Sequence, residues 1–168
     1  MPELLFVLLL VAALVGVVFL GSLSYAEAQR TEMAKSHAQT VIEVLRALGP
    51  GGNVPASLRE PCRLREGPAG AGSSWAACRA GLVAPGGPLA GLPNPFDARQ
   101  AFFAAQCDRT NLATRGAIVV EKGYAPVPGA PVAYGPLEDG EVLARGLLLR
   151  VLACDKGAFS IRVGELKL

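Results

Sequence analysis

Residues 4–23 read LLFVLLLVAALVGVVFLGSL, twenty consecutive positions at which Ser22 is the only clearly polar side chain. At about 1.5 Å per residue, a helix of this length spans about 30 Å, the thickness of a bilayer core. A removed signal peptide is the competing reading. It expects basic residues before a shorter apolar core, and a small-residue cleavage site after it. No Lys or Arg precedes this run, Glu3 stands there instead, and the run is long. The segment therefore reads as a retained membrane helix.

The helical signal does not stop at residue 24. Residues 25–48, YAEAQRTEMAKSHAQTVIEVLRAL, contain no Gly or Pro and are rich in helix formers. Ala34, Ala38, Val41, Ile42, Leu45 and Leu48 recur at spacings of three and four and form one apolar stripe. Glu27–Arg30, Glu32–Lys35 and Glu43–Arg46 are i,i+3 pairs on the wetter faces. The sequence GPGG at 49–52 then ends the helix. One helix over 2–48 would be about 70 Å long. Its first half, within residues 1–24, is apolar on every side, and its second half, 25–48, is amphipathic and suited to lie on a folded head.

The chain has 168 residues, enough for a single domain with its own core. A net charge of +2 without a basic run gives no nucleic-acid groove. Residues 49–115 are rich in Gly, Pro and Ala and read as turns and irregular loop, with a short helix expected at 97–107 and Trp75 as a core residue. Strand signals follow at 117–121, 142–154 and 158–163. Asp155-Lys156-Gly157 reads as a hairpin turn with the glycine at positive φ. The expected fold class is α+β: a long N-terminal helix packed on a small antiparallel sheet, loop-rich and stapled by disulfides. The head would cover 25–168, with the half-helix 25–48, the loop region 49–115 and the sheet 116–168.

All four cysteines, Cys62, Cys78, Cys107 and Cys154, follow the apolar run. An even count in a compact Gly/Pro-rich domain outside the membrane points to disulfides in an oxidising compartment. Of the three possible pairings, Cys62–Cys78 with Cys107–Cys154 is favoured, because the first pair closes a local loop. Four buried thiols are the alternative. Zinc is disfavoured, with one His and no CxxC.

Met1, Glu3, the apolar run at 4–23 and the continuation AQRTEMAKSHAQTVIEVL resemble the N-terminal spine of type IV pilins and of the related type II secretion pseudopilins. The resemblance covers the first 48 residues; over the head it is architectural. It implies a prepilin whose basic leader is removed by a prepilin peptidase, with methylation of the new N-terminus, so that Met1 would be a post-cleavage residue. It implies an inner-membrane subunit that the pilus assembly machinery extracts into an extracellular helical homopolymer, serving adhesion, motility, uptake or conjugation. The family's acidic residue normally stands fifth, and here Glu3 stands third. The proline near position 22 of many type IVa pilins is replaced by Gly21-Ser22, which leans towards the type IVb group.

Glu3 is the position that needs a partner, because a carboxylate beside an apolar helix is costly to bury alone. In a pilin-like filament that partner would be the N-terminal amine of a neighbouring subunit, and the pair would fix the axial register. The plainer reading is a favourable charge in the first helical turn, behind Pro2, at headgroup level. Gly16 and Gly21 would allow close helix packing together with Ala12, or local melting, or would be ordinary membrane-helix glycines. His37 reads as a surface residue, and Asp97, Asp108 and Asp155 as turn or cap residues. No nucleophile, phosphate-loop, metalloprotease or dinucleotide motif is present, so the expectation is a structural protein without cofactor or metal rather than an enzyme.

Overall fold

With no proline after Pro2 and only two glycines, Gly16 and Gly21, the chain forms one helix, α1, over Pro2–Leu48. The computed structural model describes residues 2–127 and 129–168 and, within α1, the side chains of residues 7–18, 21, 22 and 24–48. Beyond α1 come a 3₁₀ turn at Ala56–Leu58, helix α2 at Trp75–Val83, a second 3₁₀ turn at Leu112–Thr114, and four strands. These are β1 (Ile118–Tyr124), β2 (Ala133–Pro136), β3 (Leu148–Cys154) and β4 (Ser160–Lys167). All neighbours in the sheet are antiparallel, in the order β2-β1-β3-β4. The chain is thus α+β, with a four-stranded antiparallel sheet.

Alternation along the strands decides which residues face the helix. Ile118 and Val120 of β1, paired with Ala153 and Val151 of β3, lie on the inner face with Leu149. Against them pack Ala34, Ala38, Val41, Ile42, Leu45 and Leu48 of α1, the stripe read from the sequence, all buried. Leu45 is fully enclosed. Gly164 of β4 makes the close approach possible: a Cβ there would stand 2.8 Å from Ile42 Cδ1.

The opposite face is covered only at one end. Ala117, Val119, Leu152 and Cys154 form a second small core with Ala104 and Cys107. The disulfide Cys107–Cys154 clamps that cover to the end of β3, and Cys62–Cys78 ties the first loop to α2. Both are the pairings favoured from the sequence, and they close loops with sequence separations of 16 and 47.

The region 49–115 is sewn to the head by backbone hydrogen bonds as well as by sulfur. Arg65 N–H donates to Leu143 O (2.8 Å), Leu143 N–H to Ser73 O (3.0 Å) and Trp75 N–H to Glu141 O (2.8 Å). The helix of this region is α2, capped by the Ser74 hydroxyl accepting from Ala77 N–H, and not a helix at 97–107. The reason lies in pairing: Ile118 N–H donates to Phe102 O (2.8 Å) and Ala104 N–H to Ile118 O (3.0 Å), which holds this stretch extended beside β1. Trp75 is a core residue, edge-on to Phe103 at 5.6 Å.

Two further features differ from the sequence reading. Strand β2 carries no alternating apolar signal and exists through its pairing with β1. In the β3–β4 turn the positive φ falls on Ala158 (φ 57°) and not on Gly157. Asp155 accounts for the shift: its Oδ1 accepts from Gly157 N–H and Phe159 N–H, both at 2.8 Å. This Asx-type turn compensates the left-handed strain at Ala158.

In the chain-entropy account, loops of these two lengths give about 3 and about 4 kcal/mol of stabilisation per disulfide. Replacing both Cys107 and Cys154 by Ser is expected to destabilise the head by about 2–5 kcal/mol, seen as a lowered midpoint in chemical denaturation of the full chain in detergent. An unchanged midpoint would show that the cover over Leu152 holds without the bridge.

Candidate assembly surface

The surface that stands out is α1 itself. In residues 7–18 every side chain is exposed, with Leu14 at 63% and Val18 at 71% of their full accessibility. Scattered exposed apolar residues are normal, but a continuous apolar column marks an interaction site. Among the described residues no helix is long and apolar enough to cross a membrane. The membrane-helix expectation concerns the whole run 4–23, which lies partly outside the described side chains.

Ala12 and Gly16 are four residues apart and share a face, giving a small-residue notch one turn long. Gly21 lies five residues beyond Gly16 and is rotated by about 140° from it, so it does not extend that notch. A Cβ added at Gly16 or Gly21 would meet nothing within 4 Å, and the helix continues through both. Met1 and the Glu3 side chain lie outside the described residues. Further along, Tyr25, Ala28, Gln29, Glu32, Met33 and Ser36 line one outward groove of α1. Tyr25 and Met33 are exposed there, so the apolar column fades gradually into the head half.

The head meets α1 at two levels. Near its start, Lys156 of the β3–β4 turn reaches Glu27 at 3.3 Å, an exposed pair of small energetic weight that marks where the sheet begins to cover the helix. Deeper in, His37 faces inward. It is 9% exposed, its ring lies 5.7 Å from that of Phe102, and its Nδ1 is buried without a hydrogen-bond partner among the described residues. The surface placement expected from the sequence is therefore overturned. His37 stands three residues after Ala34 and four before Val41, within the arc of the buried stripe, and that spacing was the available signal.

Asn94, which the sequence reading places in the irregular loop of 49–115, is a second buried polar residue. It is buried; its Nδ2 donates to Arg115 O (2.8 Å) and Ala101 O (3.2 Å), and its Oδ1 accepts from Phe96 N–H (2.9 Å). Gly116 (φ 72°) leaves room for that side chain: a Cβ there would lie 2.5 Å from Asn94 Oδ1. Asn94 is thus a structural clamp on the disulfide-bonded cover.

Asp97, Asp108 and Asp155 take the turn roles expected, each accepting from backbone N–H groups two residues on. Thr110 also donates to Asp108, and these bonds hold the Asp108 carboxyl below its ordinary pKa. Among the described residues, no three of His, Cys, Asp and Glu gather as metal ligands would. No protein-family model, curated protein or solved structure matches this chain.

Burial lowers the pKa of His37, because the apolar surroundings disfavour the imidazolium. The folded head holds this ring neutral, whereas the unfolded chain takes up a proton near pH 6.5. Stability is therefore complete above that value. It should fall as the pH drops from about 6.5 towards the lowered folded pKa, by at most about 1.4 kcal/mol per pH unit, and level off below it. His37→Phe should remove this part of the pH dependence, as followed by urea denaturation at a series of pH values; an identical slope in the variant would refute the assignment.

Proposed function

We propose that the chain is the structural subunit of a type IV pilus, of type IVb character, that polymerises through α1. The observation that carries this reading is the division of α1 into two chemistries. Residues 7–18 are apolar and uncovered all round, while the stripe from Ala34 to Leu48 is spent on the head. A helix that served only the head would not need an apolar column extending beyond it. The column finds an apolar environment in the inner membrane before assembly, and among the helices of neighbouring subunits afterwards.

In this reading a prepilin peptidase generates the mature N-terminus, and the assembly machinery moves the subunit from the inner membrane into an extracellular homopolymer. Glu3 pairs with the N-terminal amine of a neighbouring subunit. Desolvation offsets much of the Coulomb gain of a buried pair, so its main effect is to select one axial offset between helices. The disulfide-bonded head, whose cysteines are all paired, suits an oxidising exterior. The heads face outwards, presenting the loops of 49–115 and the β3–β4 hairpin, and the role is mechanical and adhesive rather than catalytic.

Glu3→Ala is expected to abolish or strongly reduce filaments in sheared surface fractions seen by electron microscopy, while the head retains its melting transition. Filaments of normal abundance in this variant would defeat the register role. A wild-type chain that stays a monomer in detergent and forms no polymer would instead support a helix-anchored binding protein. Filaments in which the chain is scarce would support a minor pilin or a type II secretion pseudopilin.

A further inference from the structure

The end of the head furthest from the apolar column holds an open cleft of about 400 Å³, beside Leu48 where α1 stops. About 45 Å of helix separate it from residue 18. Arg59, Arg63 and Arg145 line the cleft, against one lining carboxylate, Glu66. Arg59 and Arg63 stand four residues apart just after the turn Ala56–Leu58, whereas Arg145 comes from the connection between β2 and β3. The fold brings the two segments together deliberately close: Arg145 N–H donates to Arg65 O (3.1 Å) and Arg65 N–H to Leu143 O (2.8 Å).

Two of the three guanidinium groups hold exposed ion pairs and the third holds none among the described residues. Arg63 pairs with Glu60, and Arg145 pairs with Glu66 at 2.7 Å, but the side chains of both pairs are more than half exposed. Such pairs contribute little to stability and exchange readily. Arg59 has no side-chain hydrogen bond or ion pair among the described residues. Arg59 is thus the guanidinium without a carboxylate, and an incoming anion would pair with it while competing with Glu60 and Glu66 for Arg63 and Arg145. The planar fork of Arg matches sulfate and carboxylate, two parallel hydrogen bonds at a time. The cleft volume fits a ligand of one or two sugar units. Asn53 supplies a donor and an acceptor for hydroxyl groups, and Val54 an apolar contact.

We propose that this cleft binds an acidic saccharide, a short glycan carrying sulfate or carboxylate groups, with Arg59 as the principal anion contact and Arg63 and Arg145 completing the cradle. Only its outward presentation rests on the filament reading; the binding itself requires the head alone.

The test uses the full chain in detergent micelles, where no filament is needed, so its outcome is independent of polymerisation. Isothermal titration compares a sulfated heparin-derived disaccharide, digalacturonate, neutral cellobiose and inorganic sulfate. Saturable binding of an acidic disaccharide is expected, weakened about tenfold by Arg59→Gln and similarly by Arg145→Gln. Arg109→Gln, which alters an arginine stacked on Phe159 elsewhere on the head, should bind as the wild type does. Circular dichroism melts check that each variant is folded. Absence of saturable binding, equal binding by Arg59→Gln, binding of cellobiose at the same strength, or inorganic sulfate binding as tightly as the disaccharides would each overturn the proposal.

Discussion

The contact between the apolar stripe of α1 and the inner face of the sheet underlies the rest of the head. Neither layer is stable alone, since each presents one apolar face to water. The stripe uses small residues, Ala34 and Ala38, where the head begins, and larger ones, Val41, Ile42, Leu45 and Leu48, deeper in. Facing them, β1, β3 and β4 contribute Ile118, Val120, Leu149, Val151, Ala153 and Leu166. At roughly 1.5–3 kcal/mol for each large apolar side chain fully buried, this seam is the main source of head stability. The seam ends at Ala34, and the described side chains of residues 7–18 lie beyond it, exposed.

The outer face of the sheet shows how the head remains a water-facing object. One end is roofed by residues 104–107 and the Cys107–Cys154 bridge. The uncovered end carries a polar ladder: Arg150 pairs with Glu121 across the strands and lies 4.0 Å over the Tyr134 ring. Burial in this stack, together with a hydrogen bond to Glu165, raises the Tyr134 pKa and keeps the phenol protonated. The long apolar surface of the described residues is thus gathered on α1, while the outer sheet face carries a small roofed core and a paired polar ladder.

Much of this was legible in the linear chain because it depends on local periodicity. The spacing of three and four from Ala34 to Leu48 placed the helix face, strand-forming residues at 117–121 and 142–154 located β1 and the later-starting β3, alternation at 158–163 located β4, and loop length favoured the observed cysteine pairing. The failures share one cause. His37, with no second His or nearby Cys, reads as a surface residue, although its position lies within the buried arc. Residues 97–107 carry helix-forming residues, but Phe102 and Ala104 bond to Ile118, which is distant in sequence. Strand β2 has no intrinsic signal, and Asn94 acts through Ala101 and Arg115, partners set by the fold.

The sequence by itself determined the character of α1: twenty apolar positions followed by an amphipathic stretch without a breaker can form little else than a helix with a greasy half and a docking half. It determined too that the cysteines belong to the head. Tertiary structure alone decided which polar residues are enclosed, where the loop region is sewn to the sheet, and that Arg59, Arg63 and Arg145 meet around one cleft. The physical reason is range. Helical faces and strand alternation are set by neighbours a few residues away, whereas burial and charge convergence depend on segments some 80 residues apart and appear only when hydrogen bonds such as that from Arg145 to Arg65 bring them together.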